Sequence, residues 1–289
     1  MSFLVIGNIT RDLLKTKDRE SYFFGGASYA AITALRLGYR SNILTRGNYL
    51  LNDWIGFLEK QGIRVFLQTD SNITSFINDY LNDEREQILL EHTDKIIYDF
   101  SKKFDIIHIN PMYQEIDIGI IKEARKNCKM LSLDVQGLVR NVNGTRVGGR
   151  FWHEREEYLR NIDFLKVGKN ETRFVSNIRD YKGMCEELRS FGVKIVALTL
   201  GNIGSIIHSN DFYRIPAFIT KTIDKTGAGD VYGASFAIRY FETKDVIDSA
   251  LFATSSASFV VEDFGPKCIA SIEKTKERYE VFKNKVFGR

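Results

Sequence analysis

Seven residues late in the chain, Asp224 to Asp230 (DKTGAGD), have the types and spacing to handle a phosphate group. Gly-Ala-Gly followed by a long apolar stretch reads as a turn that opens a helix. The first amides of a helix have no partner within it, and residues without bulky side chains let an anion reach them. Gly227, Ala228 and Gly229 would form that cradle. Asp230 falls in the first helical turn, where the helix dipole keeps a carboxylate ionised. A carboxylate there suits a general base acting on an alcohol beside the same anion. Cradle and base together point to phosphoryl transfer. The competing reading is a plain helix start stabilised by an acidic residue, and it leaves the other six letters unexplained.

Two familiar nucleotide signatures are missing. The chain has no G-x-x-x-x-G-K-[ST] and no G-x-G-x-x-G between its first strand and first helix, so neither a Walker-type NTPase nor a dinucleotide-binding enzyme is indicated. Ser28 and Ser235 lack a G-x-S-x-G elbow. His92, His108, His153 and His208 have no metal-ligand spacing.

The DKTGAGD run matches in full the D-x-T-G-A-G-D signature of the PfkB, or ribokinase-like, carbohydrate kinases, and the chain resembles that family over almost its whole length. Supporting pieces follow in the family's order: a first strand running into Gly7 and then Asp12, the Gly25-Gly26 pair opening a helix, and TLGNIGSII from Thr199. The resemblance implies that Asp230 takes the proton of the acceptor hydroxyl and that the Gly227 to Gly229 amides stabilise the moving phosphoryl group. It implies that Asp12, Gly25 and Gly26 contact a sugar or polyol. It also implies that Thr199, Gly201, Gly204, Asn170 and Thr226 lie toward ATP, with Mg²⁺ bridging its phosphates and room for K⁺ beside the Asp224 loop. Taken alone, Gly25 and Gly26 read equally well as a turn or packing device, and Thr199 to Gly204 as an ordinary hairpin. Small residues from Ala253 to Ser258 resemble the family's adenine-pocket helix and read as well as close packing.

Departures from the family pattern bear on the acceptor. Ala30 stands where G-G-x-x-x-N would place an amide, and Arg173 replaces the acid when N-x-x-E is counted from Asn170, with Glu171 beside it. The stretch LDVQGLVR, Leu133 to Arg140, is similar to the inositol 3-kinase branch. Asp134, Gln136 and Arg140 offer an acceptor, an amide and a forked donor at a strand end, either to read hydroxyls or phosphate or to satisfy a polar loop internally. The resulting expectation is an ATP-dependent kinase for a small sugar or cyclic polyol, myo-inositol first. A pentose, keto-deoxy sugar or nucleoside kinase is the alternative within the family, and a non-catalytic polyol-binding regulator the alternative outside it.

Positioning these residues requires an α/β framework. Short apolar strands at Phe3–Ile6, Ser41–Thr45, Ile63–Leu67, FDIIHI, KMLSLDV, DFLKV and VKIVALTL alternate with helical stretches, which predicts a parallel sheet covered on both faces. From about Arg64 to Glu91 the rhythm breaks, because SNITSFINDYL and EREQILLEH alternate apolar and polar residues about an Asn82-Asp83 turn signal, which predicts a β-meander with one wettable face; residues near 10–24 and 64–92 are expected to form a lid. Three helices are predicted after Gly227. The expected fold is therefore one ribokinase-like domain over 1–289, a doubly wound αβα sandwich with a small β-lid in its N-terminal half. An exposed lid is an edge in need of cover, so lid-to-lid homodimerisation is expected.

Composition agrees with a globular chain of 289 residues. It is 44% hydrophobic and carries 41 Lys and Arg against 37 Asp and Glu, a mixed net +4 that gives no reason to expect a nucleic-acid partner. No apolar stretch is long enough to span a membrane. Cys128, Cys185 and Cys268 are far apart and odd in number, which predicts neither a disulfide framework nor a zinc site and fits the cytoplasm.

Overall fold

The computed structural model describes residues 1–15, 20–82, 84–99 and 101–288. The first half of the chain runs β1 (Ser2–Ile6), β2 (Arg11–Lys15), β3 (Glu20–Phe24), α1 (Ala27–Arg36), β4 (Arg40–Gly47), α2 (Asn52–Lys60), β5 (Arg64–Thr69), β6 (Ser75–Asn82), β7 (Glu84–Glu91), β8 (Phe104–Ile109) and α3 (Ile118–Lys126). It continues with β9 (Cys128–Asp134), α4 (Gln136–Val139), β10 (Arg140–Asn143), β11 (Arg146–Gly149), α5 (Arg155–Leu159), β12 (Phe164–Gly168), α6 (Thr172–Val175) and α7 (Tyr181–Ser190). The last part is β13 (Ile195–Thr199), β14 (Gly204–His208), β15 (Phe212–Pro216), α8 (Ala228–Thr243), α9 (Val246–Val260) and α10 (Ile272–Phe287).

The main sheet has nine strands in the order β15-β14-β13-β12-β9-β8-β1-β4-β5. Pairing is parallel from β5 through β13, and β14 and β15 close the far edge as antiparallel strands. Its strands are apolar on both faces because both are covered. In β1, Phe3 and Val5 join one core with α1, α8 and α9, while Leu4 and Ile6 join a second with α3, α5 and α7. From β1 the chain winds outward through β4 and β5, then returns to wind the other way from β8. The gap between β1 and β8 is thus the topological switch point where open α/β sheets leave a crevice at the carboxyl ends of their strands.

A second, six-stranded sheet runs β10-β11-β7-β6-β2-β3 and forms the lid. Two boundaries differ from the sequence expectation. Residues 64–69 do not belong to the lid: β5 pairs in parallel with β4 at the edge of the main sheet, as a strand following a crossover helix should. The β10–β11 hairpin, which the sequence reading missed, does belong to it. The lid is also not a simple meander, since β2 pairs with β6 in parallel. The predicted Asn82-Asp83 turn includes Asp83, which lies outside the described residues. Among the described residues no helix is long and apolar enough to cross a membrane.

Candidate active site

Helix α8 begins where the sequence placed the cradle. Gly227, its N-cap, has φ +83, and a Cβ there would lie 2.2 Å from the Tyr29 ring, so only glycine fits. Asp224 shapes the approach, its Oδ1 accepting from the Thr226 amide at 3.0 Å and hydroxyl at 2.8 Å. The Ala228 amide makes a long 3.4 Å contact back to the Lys225 carbonyl, whereas no backbone carbonyl among the described residues takes the amides of Gly229 and Asp230. Those donors remain available to an anion.

Asp230 is buried, and Asn110, at the end of β8, donates from Nδ2 to its Oδ1 at 2.9 Å. Burial, reinforced by the nearby Asp134 carboxylate, pushes the Asp230 carboxyl up to about 6, while Lys166, the Asn110 hydrogen bond and Arg140 oppose the rise. A carboxylate poised there is ionised at neutral pH yet basic enough to accept a proton. Beneath the cradle, Lys166 on β12 stands opposite Asp134 on β9 and donates to its Oδ2 at 2.8 Å. Both are almost wholly buried. The Lys166 Nζ lies 2.9 Å from where a Gly229 Cβ would be, so Gly229 is what lets the helix settle over an ammonium.

A cavity of ≈ 100 Å³ opens between this corner and the lid. Asp230, Gly227 and Gly229 line one side, and Asp12, Gly26, Gln136 and Arg140 another, which brings together most of the acceptor residues expected from the sequence. Asp12 reaches it from lid strand β2. Gly26 has φ +59, and a Cβ on it would meet the Asn8 carbonyl at 2.2 Å. Arg140 donates from Nη1 to the Met112 carbonyl at 2.9 Å, sits over the Phe76 ring at 5.0 Å, and lies 3.0 Å from the Gln136 amide oxygen in the orientation that satisfies both groups. The sequence reading missed Tyr29, Thr10, Phe76 and Gln87, which also line the cavity. Thr10 carries a buried hydroxyl with no hydrogen-bond partner among the described residues. Asn110 and Lys166 were missed too, because their roles arise from strand register and no local motif announces them.

Other expected residues lie elsewhere. Thr199, Gly201 and Gly204 form the β13–β14 hairpin and do not line this cavity. A Gly204 Cβ would strike the Ile215 carbonyl of β15 at 2.1 Å, so packing against that strand already requires the glycine. Asn170 is exposed on the turn after β12, and Arg173 is exposed over the Phe174 ring. The acid of that turn is Glu171, whose Oε2 accepts from the Gly168 amide, so the N-x-x-E spacing is met from Gly168 and the acid is present. Burial pushes its carboxyl up, against the pull of Lys166. Ala30 is buried in the core on α1, and Tyr29 occupies the cavity wall instead. Ala253 and Ser255 to Ser258 are packed or half-packed along α9, with Ser256 against Ser235 of α8.

Among the described residues no three His, Cys, Asp or Glu side chains are grouped to hold a metal ion.

Residues 60–273 match the model of the pfkB family of carbohydrate kinases. A nucleoside kinase of Methanothermobacter thermautotrophicus is 44% identical over 78 residues, covering 27% of this chain and 25% of that protein. An inositol 3-kinase of Arabidopsis thaliana is 28% identical over 160 residues, covering 53% of this chain and 42% of that one. These alignments span less than half of either relative. A solved structure of a pyrophosphate-dependent kinase in the ribokinase family, complexed with a pyrophosphate analog and myo-inositol, superposes with a TM-score of 0.83 at 25% identity over 96% of this chain and 99% of that one. With the signature, the sheet order and the family match in agreement, the chain belongs to the pfkB family of carbohydrate kinases.

Proposed function

We propose that this kinase moves the γ-phosphoryl group of ATP, carried with Mg²⁺, to a hydroxyl of a small sugar or cyclic polyol, with myo-inositol as first acceptor. The observation that carries the reading is the cavity itself. Hydroxyl-reading groups from the lid and from α4 face a buried carboxylate across a space sized for one small molecule. In the transfer, Asp230 takes the hydroxyl proton as that oxygen bonds to the γ-phosphorus, the bridging P–O bond breaks, and ADP departs. The Gly229 and Asp230 amides stabilise the group in flight, and the lid excludes the water that would compete.

Likeness to a pyrophosphate-dependent kinase supports a second reading of the donor, in which phosphate and not ADP is the leaving group. One matrix of assays decides both questions. Inositols, pentoses, keto-deoxy sugars and nucleosides are offered with ATP or pyrophosphate and Mg²⁺, and phosphorylated product is quantified. Product with myo-inositol and ATP is expected. Product only with nucleosides moves the acceptor, and product only with pyrophosphate moves the donor. Thermal stabilisation by polyols without turnover on any pair would favour a binding protein over an enzyme.

A further inference from the structure

We infer that Lys166 is a positioning residue for the transfer: from beneath the Gly229 turn, its ammonium sets the charge felt by the base and by the incoming phosphoryl group. The inference rests on the phosphotransferase class and not on which acceptor is used. Lys166 is 3% exposed at the centre of a parallel sheet, flanked in its own strand by Leu165 and Val167, which belong to the core. Burying an ammonium is expensive, and a buried ion pair contributes no more to stability than well-packed apolar residues of similar volume. The fold therefore gains little from the Lys166–Asp134 pair. What the pair achieves is placement, a cation held at 2.8 Å by Asp134 and brought to Gly229 by the absence of a Cβ.

The groups around Asp230 explain what that cation must do. Asp134 faces it from β9, Lys166 from β12, Arg140 from beyond α4, Asn110 from the end of β8 and Tyr29 from α1. Glu171 adds a further carboxylate near Lys166, while the buried His108 imidazole is held neutral by burial and contributes no charge. Without Lys166, Asp134 would push the Asp230 proton affinity higher, and transferring phosphate would meet buried carboxylates with no cation beneath the cradle, leaving Arg140 and Lys225 of the cavity lining to balance them.

The test uses three variants of the full chain, Lys166→Met, Asp134→Asn and the double Lys166→Met/Asp134→Asn, assayed with whichever donor and acceptor the wild type turns over. In Lys166→Met the acidic limb of kcat/KM moves to higher pH, and in Asp134→Asn it moves lower. The double variant removes both buried charges, so it folds; its kcat falls about a hundredfold while the acceptor KM changes little. A double variant with wild-type kcat would leave the pair a packing feature and overturn the inference, as would a Lys166→Met limb that stays in place. Titration of the Asp230 carboxyl by ¹³C NMR in the resting protein repeats the pH comparison without any acceptor. Absence of polyol turnover would sink the proposed acceptor, whereas an unmoved Asp230 titration sinks only the role of Lys166.

Discussion

Asp230 is set between two demands. In the proposed transfer its carboxyl, raised to about 6, must be charged in a place where burial opposes charge. The folded value lies above the ordinary carboxylate value, so the folded state pays for ionisation above about pH 6, and the penalty fades as pH falls toward the unfolded value of ~4. Two outcomes are expected. The wild-type kcat/KM falls as pH drops through about 6, which a pH–rate profile checks. Asp230→Asn still binds the donor but loses about a thousandfold or more in kcat, and it melts at a higher temperature than wild type at pH 8, an advantage that shrinks by pH 4. A variant of near-normal rate would remove Asp230 from the role of base. Gly227→Ala should also lose activity, because alanine must adopt φ +83 and displace the Tyr29 ring. Circular dichroism of a folded but inactive protein is the expected result. These two positions were legible in the sequence, since a helix start and its acid are local chemistry. Lys166 and Asn110 were not, because DFLKV and FDIIHI read as core strands, and tertiary packing decides that Lys166 and Asn110, the latter just past FDIIHI, meet α8.

Elements explain the remaining gap between sequence and site. Strand β5 directly precedes strands β6 and β7 in the chain and, like them, is only partly buried, yet it joins the main sheet because it follows α2 by a crossover, and pattern alone does not record pairing partners. The β10–β11 hairpin escaped because RNVN and RVGG are short, polar and Gly-containing, without an apolar alternation to mark them. Its first residue is nevertheless Arg140, so a strand end invisible to periodicity delivers a principal cavity side chain. The lid and the main sheet meet at Phe76, Leu89, Met112 and Tyr113, a small apolar cluster apart from the two large cores. Phe76 belongs to both the cluster and the cavity wall, and it supports the Arg140 guanidinium. Phe76→Leu keeps an apolar side chain while removing the ring beneath the cation, an interaction of about 0.5–2 kcal/mol. Steady-state kinetics should show acceptor KM raised about three- to thirtyfold, with donor KM unchanged. An equal rise in both would place Phe76 in general folding and not in lid positioning.

At the scale of the molecule the lid has a second face, turned away from the cavity. Cross-strand register puts Tyr22, Leu13, Ile77 and Ile88 in one row across β3, β2, β6 and β7, and Leu90 follows on the same face of β7. Tyr22 and Leu90 are each 53% exposed, so the outer face carries apolar area beside strand edges that lack partners among the described residues. A sheet so arranged is covered most simply by its own copy, since a two-fold contact matches the same row to itself. The same association would brace each lid over its own cavity, tying acceptor binding to assembly. Sedimentation velocity at micromolar concentration should therefore show a homodimer. Ile88→Glu with Leu90→Glu places like charges across the two-fold contact and should yield a folded monomer whose donor affinity is retained and whose acceptor KM is raised. A wild-type protein that sediments as a monomer at that concentration would refute lid-to-lid pairing, and a monomeric double variant with unchanged acceptor KM would separate assembly from closure.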